Sequence, residues 1–227
     1  MTTAHPRAPA DPDTWHTYLV TQQSLSAGRS TLEIVDAAVA GGIDVVQLRE
    51  KDTTARTRYE RGLAIRERTA EAGIPLIVND RVDLALAIDA DGVHVGQSDL
   101  PVSVARKLLG PDAVVGCSAS TVAEARQAEA DGADYLGVGD VYGTTSKAVD
   151  REHVGVGPAR IAEVVATVSI PVIGIGGITA ENAGPVLEAG AAGVAVITEI
   201  TGADDPEAAT ERLGAVARRC RDGGADR

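Results

Sequence analysis

Residues 70–80 read AEAGIPLIVND and contain one complete structural sentence. An Ala/Glu-rich helical end meets Gly73, a helix stop, and Pro75 then bars the chain from continuing as helix. The β-branched run that follows has the make-up of a buried strand, and it ends on two polar residues, Asn79 and Asp80. Residues 128–140 (AEADGADYLGVGD) and 187–198 (LEAGAAGVAVIT) repeat the same grammar. Working outward, short apolar runs fall at 17–20, 44–48, 75–78, 92–95, 113–116, 134–138, 170–175 and 193–198. Segments with helical spacing lie between them, for example Leu32, Val35, Ala38 and Val39, or Val122, Ala125 and Ala128. Eight strand–helix units predict an α/β chain folded as a single-domain (β/α)8 TIM barrel. The barrel is expected over residues 14–221, with flexible tails at 1–13 and 222–227. A doubly wound sheet is the rival, but the first strand leads into VTQQSLS (20–26), which is no dinucleotide fingerprint.

Composition agrees. Of 227 residues 44% are hydrophobic, Phe is absent, aromatics make up 2% and there are 25 glycines. The core is therefore aliphatic, and the chain carries enough apolar material to bury a large one. The net charge of -12 repels phosphate backbones and acidic headgroups, so neither nucleic acid nor a membrane surface is an expected partner. The longest uncharged stretch, 164–180, is broken by Pro171 and three glycines and is too short to span a bilayer. No secretory signal is visible, and Cys117 and Cys220 have no metal-like spacing, which predicts a cytoplasmic protein with free thiols. The expected partners are small molecules, and a homo-oligomer is left open.

In a barrel, chemistry belongs at the C-terminal ends of the strands. The second strand ends VVQLREK (45–51), and alternation puts Gln47, Arg49 and Lys51 on one face and Leu48 and Glu50 on the other. An amide, a guanidinium and an ammonium at a barrel mouth suit a polyanion such as a diphosphate. The third and fourth strands end in Asp80 and Asp99. Neighbouring strands lie about 4.8 Å apart, so these carboxylates can meet and hold Mg2+. Each is otherwise readable as a helix N-cap. His94, between valines, reads as a buried hydrogen-bonded residue, and Cys117 as packing. Ser118, in GCSAS (116–120), can donate to a phosphate oxygen.

The longest unpatterned stretch, 139–157, holds a hydroxyl cluster before Lys147. The chain has only three lysines, Lys51, Lys107 and Lys147, and two of them fall at expected mouth positions. GIGGIT (174–179), expected to start a helix at Thr179, together with VITEI (196–200), has the make-up of a monophosphate cup.

These motifs in this order, including "ADGVHVGQSD" (90–99), "ADYLGVGDVYGTTSK" (133–147) and "AGVAVIT" (192–198), resemble the thiamine phosphate synthase family over residues 17–215. The resemblance implies a transferase that joins 4-amino-2-methyl-5-hydroxymethylpyrimidine diphosphate to a thiazole phosphate and releases diphosphate. It implies that Gln47, Leu48, Arg49, Glu50, Lys51 and Asn79 hold the pyrimidine diphosphate, partly through the 47–51 backbone. Ser118 and Lys147 would contact the diphosphate, Asp80 and Asp99 would bind Mg2+, and Arg49, Lys51 and Lys147 would act in catalysis. Thr144, Thr145, Ser146, Gly177, Ile197 and Thr198 would hold the thiazole phosphate. The sequence departs from the family pattern at Arg81, Ser120, Asp140, Gly143 and Ser146. At 140 and 143 the family has prolines, and their absence predicts a looser loop. Two other readings use the same scaffold: a thiazole tautomerase, which needs acid–base groups but no diphosphate site, and a non-catalytic sensor of thiazole phosphate. The complete cationic set and both aspartates favour the synthase.

Overall fold

The computed structural model describes residues 10–143 and 155–224. Eight parallel strands close into a barrel in chain order: β1 (Thr17–Val20), β2 (Val45–Leu48), β3 (Leu76–Asn79), β4 (Gly92–Val95), β5 (Val114–Ala119), β6 (Tyr135–Val138), β7 (Val172–Ile175) and β8 (Gly193–Val196). The ring is sealed by β8 against β1, with Tyr18 opposite Ala195. Outside it run α1 (Thr31–Ala40), α2 (Ala55–Ala72), α3 (Val82–Ala87), α4 (Val102–Leu109), α5 (Val122–Ala130), α6 (Gly157–Val165), α7 (Ala183–Glu188), α8 (Thr198–Thr201) and α9 (Pro206–Gly224). The strands expected from sequence are all present, and β5 runs on far enough to include Ser118.

Local chemistry explains the punctuation. Ser30 with Glu33, and Thr121 with Glu124, form capping boxes that start α1 and α5. Gly73 ends α2 at φ 70°, a left-handed conformation that costs a side-chain-bearing residue about 1–2 kcal/mol.

Alternation along the strands divides the core in two. Leu19, Val46, Leu48, Val78, Val93, Val115 and Leu136 point outward and pack under the helices. Trp15, Tyr18, Val45, Ile77, Tyr135, Ile173 and Ala195 fill the barrel interior. Three of the chain's five aromatic rings are thus concentrated inside the barrel. They need room, and glycines on the strands provide it. A Cβ at Gly116 would overlap the Tyr135 ring, and one at Gly137 would come within 2.9 Å of His94 Cε1.

Local structure reaches a few residues into each of the two stretches expected as tails. Asp11 caps a 3₁₀ turn at Pro12–Thr14, and Trp15 behind it is buried in the barrel floor. At the other end α9 continues to Gly224, into the stretch expected to fray. Among the described residues no helix is long and apolar enough to cross a membrane.

Candidate active site

A cavity of about 580 Å³ opens at the C-terminal ends of the strands. Its wall takes Gln47 and Arg49 from β2 and the turn after it, Asn79 from β3, Ser118 from β5, Gly177 after β7, and Ile197 and Thr198 after β8. All seven were expected at the site from sequence. That volume suits a small-molecule ligand.

The β2 end follows the alternation. Gln47 and Arg49 face the cavity, while Leu48 packs in the outer core. The Glu50 carboxylate accepts from Thr31 Oγ1 at 2.7 Å and pairs with Arg61 at 3.0 Å. The side chains of Leu48 and Glu50 therefore do not reach the cavity, and only their backbone is left to serve a ligand. Glu50 does position the segment, since it ties β2 to α1 and α2. The Arg49 guanidinium donates to Gln22 Oε1, and its backbone N–H donates to Thr21 Oγ1 at 3.2 Å.

At the rim, Lys51 Nζ lies 2.8 Å from Asp80 Oδ2. Asp80, just after β3, has a φ of 63°, a left-handed turn. Neither aspartate is a helix cap. Arg81, whose side chain pairs with Asp83 and makes no cap bond, occupies the α3 N-cap position, and Pro101 that of α4. Asp99 folds back, and its Oδ2 accepts from Gly96 N–H at 2.8 Å. The two carboxylates come within hydrogen-bonding range of each other, and their acidities move apart. Burial lifts Asp99, and the negative charge of Asp80 lifts it further. Burial also pushes Asp80 up, but the hydrogen bond and charge of Lys51 outweigh it and bring Asp80 below the ordinary range. Two close carboxylates with one ammonium leave a negative charge uncompensated. Hard oxygen donors in that state fit Mg2+, which takes one or two carboxylates and completes its shell with water and phosphate oxygens. Among the described residues no cluster of three acidic, His or Cys side chains exists to hold a metal without such help.

The opposite wall is glycine-built. Gly176 and Gly177 have φ of 107° and 63°. A Cβ on Gly176 would overlap Asp140 Oδ1, and one on Gly177 would overlap the Gly143 carbonyl. The loop after β6 therefore lies directly on the turn after β7. Val141 N–H donates to Ile175 O at 3.0 Å and Tyr142 N–H to Gly176 O at 2.9 Å. The far end of that loop returns to the same place, with Val156 N–H on Asp140 O at 3.0 Å. So the start of the loop is pinned without a proline at 140, while the looser loop expected from the missing prolines falls mainly on 144–154, outside the described residues. Gly143 has φ 91°, which proline, locked near -65°, cannot adopt. The calls on Thr144, Thr145, Ser146 and Lys147 lie outside the described residues.

One expectation is corrected. The helix after GIGGIT begins at Ala183, not Thr179. Asn182 takes over the local backbone: its Oδ1 accepts from Thr179 N–H at 2.8 Å and its Nδ2 donates to Gly177 O at 3.0 Å. Such side-chain bonds compete with helix formation. Cys117 is packing, as expected: burial, with Glu124 next, pushes its thiol up to about 11.

Sequence reasoning left Tyr18 and Tyr135 out of the site, and it placed His94 in the core without the cavity. All three line it. The signal was present in Gly116 and Gly137, glycines inside strands where a ring from a nearby strand needs space.

Two carboxylates that a cation would reconcile, beside fixed cationic side chains at the mouth of a parallel barrel, define a (β/α)8 enzyme working on anionic substrates. The chain belongs to the thiamine monophosphate synthase family, whose model matches residues 17–200. It is 62% identical over 200 residues to the thiamine-phosphate synthase of Haloarcula marismortui, covering 88% of this chain and 95% of the relative. Identity to the thiamine-phosphate synthase of Moorella thermoacetica is 53% over 207 residues, or 91% of this chain and 98% of the relative. The structure of a thiamine phosphate pyrophosphorylase from Pyrococcus furiosus superposes with a TM-score of 0.84 at 37% identity, covering 92% of this chain and 98% of that one.

Proposed function

We propose that this enzyme joins an aminopyrimidine methyl diphosphate to a thiazole phosphate, giving thiamine phosphate and diphosphate. The observation that carries the reading is the cluster where Lys51, Asp80 and Asp99 meet near Arg49, beside a cavity of about 580 Å³.

The reaction is a substitution at the pyrimidine methylene. The bond to the diphosphate oxygen breaks and takes its electron pair with it. The thiazole nitrogen then supplies the pair for the new C–N bond. An electron-rich aminopyrimidine spreads the positive charge left on the methylene. The nitrogen nucleophile carries no proton, so no general base is needed. The protein's tasks are to stabilise the departing anion and to hold the nucleophile close.

Arg49, Lys51, Ser118 and Lys147 are assigned to the diphosphate. Gln47 and Asn79 are assigned to the pyrimidine, with the 47–51 backbone. Asp80 and Asp99 are the residues that would hold Mg2+, which supplies charge neutralisation to the diphosphate when bound. Gly177, Ile197 and Thr198 are assigned to the thiazole phosphate, with Thr144, Thr145 and Ser146. The glycine-built turn supports this, because it lets backbone N–H groups approach an anion without side-chain interference.

The test is diphosphate release from the purified chain supplied with both substrates and Mg2+. Release should require both substrates and stop in excess chelator. Full activity in chelator would remove the metal assignment, and no release with both substrates would overturn the reading.

A further inference from the structure

Five polar side chains form a continuous row through the barrel interior. Gln47 Nε2 donates to the Tyr18 hydroxyl at 2.7 Å, and the Tyr18 and Tyr135 hydroxyls are 2.9 Å apart. Tyr135 OH lies 3.0 Å from His94 Nδ1, and His94 Nε2 lies 2.9 Å from Ser118 Oγ. The middle of the row is sealed, with Tyr18 and Tyr135 only 2% and 1% exposed. Burial pushes both phenols up, so both stay neutral. The ends are different. Gln47 and Ser118 line the cavity, and among the described residues Gln47 Oε1 has no protein partner.

Such a row has a direction. In it each phenol, and a neutral imidazole, accepts one hydrogen bond and donates one. An amide –NH2 only donates, so Gln47 sets the sense at its end. Tyr18 accepts from it and donates to Tyr135. Tyr135 in turn donates to His94 Nδ1. His94 is then the Nε2–H tautomer and donates to Ser118 Oγ, which leaves the serine proton for the cavity. Reversal would turn the Gln47 amide over and draw the serine proton back to His94.

We propose that this row is a polarity relay: it obliges Gln47 to present an acceptor and Ser118 a donor to the two ends of one bound pyrimidine diphosphate. The inference rests on the reaction proposed above and deepens it. The Gln47 carbonyl accepts from the exocyclic amine, and Ser118 donates to the anionic end. Reversed polarity would set N–H against N–H at one end and a lone pair against an anion at the other. Tyr18, Tyr135 and His94 are positioning residues, and together they determine specificity for an amino over an oxo substituent on the ring.

Two measurements test this on the full chain. Imidazole 15N NMR, with His94 assigned by loss of its signals in His94→Asn, should show His94 as the neutral Nε2–H tautomer. Tyr135→Phe and Tyr18→Phe keep the ring and cut the row at different points, and their folding is checked by thermal melts. Each should lower kcat/KM for the aminopyrimidine diphosphate about tenfold, the worth of one buried hydrogen bond. The KM for thiazole phosphate should not move, and the preference for the amino substrate over its oxo analogue should fall by a similar factor. A wild-type His94 in the Nδ1–H form would overturn the relay, as would Phe variants that fold and keep the wild-type amino-to-oxo ratio. An inactive wild type would instead sink the proposed reaction, while the tautomer would still decide the relay.

Discussion

Asp80 shows how a single residue can serve a site at the expense of the fold. Its φ of 63° strains a side-chain-bearing residue, and its half-buried carboxylate lies against that of Asp99. Its offsetting contact is the ion pair with Lys51, which is 44% exposed and so worth about 1 kcal/mol or less. Asp80→Gly should therefore abolish condensation while leaving the melting temperature unchanged or higher. A drop of many degrees would mean that Asp80 supports the fold. Lys147 is the second residue-level test. An ammonium that meets the diphosphate as charge builds on it acts mainly in the transition state, so Lys147→Ala should lower kcat more than it raises KM. The loss expected for one preorganised donor is about 10²- to 10³-fold. Lys107 sits exposed on α4, far from the mouth, and Lys107→Ala should match wild type in the same assay. Equal behaviour of the two variants would remove Lys147 from the site.

Among the elements, β5 and β6 carry the most specific constraint. Gly116 and Gly137 face the barrel interior, where the rings of Tyr135 and His94 take the space that a Cβ would need. Gly116→Ala forces Tyr135 out of place, so it should cost about 3 kcal/mol in urea titration and lower activity by disturbing the row to Ser118. Gly137→Ala meets His94 at 2.9 Å, a milder conflict, and should cost less. Gly184 on α7 is the control, since a Cβ there meets nothing within 4 Å. As a helical glycine, its change to Ala should stabilise by about 0.5–1 kcal/mol. A Gly116→Ala variant as stable as wild type would show that the interior repacks freely.

At the scale of the whole molecule, 21 basic residues face 33 acidic ones. The resulting net charge of -12 is a self-repulsion that folding concentrates. Salt screens charges beyond a Debye length of about 8 Å at physiological ionic strength, and about 3 Å at 1 M. The melting temperature should rise from low salt into molar KCl. A steady fall over that range would contradict the expectation.

What the sequence by itself determined follows local rules. The strand–helix count came from apolar runs set off by Gly and Pro stops. The inward parity of Gln47 and Arg49 came from the two-residue strand period. That Asp80 and Asp99 meet came from the spacing of adjacent strands. Each of these depends on residues near in sequence or on strands next to one another. Only the tertiary structure decided the rest. Tyr18 and Tyr135 are 117 residues apart, and barrel closure alone brings their hydroxyls to 2.9 Å. His94 looked like an ordinary core residue because its partners come from β5 and β6, and no local period encodes which side chains of nearby strands meet inside the barrel. Thr179 was misread as a helix start because the competing bonds come from a single side chain, Asn182, whose reach depends on where the glycine turn places it. Periodicity tells which way a side chain faces, and closure of the sheet decides what it meets there.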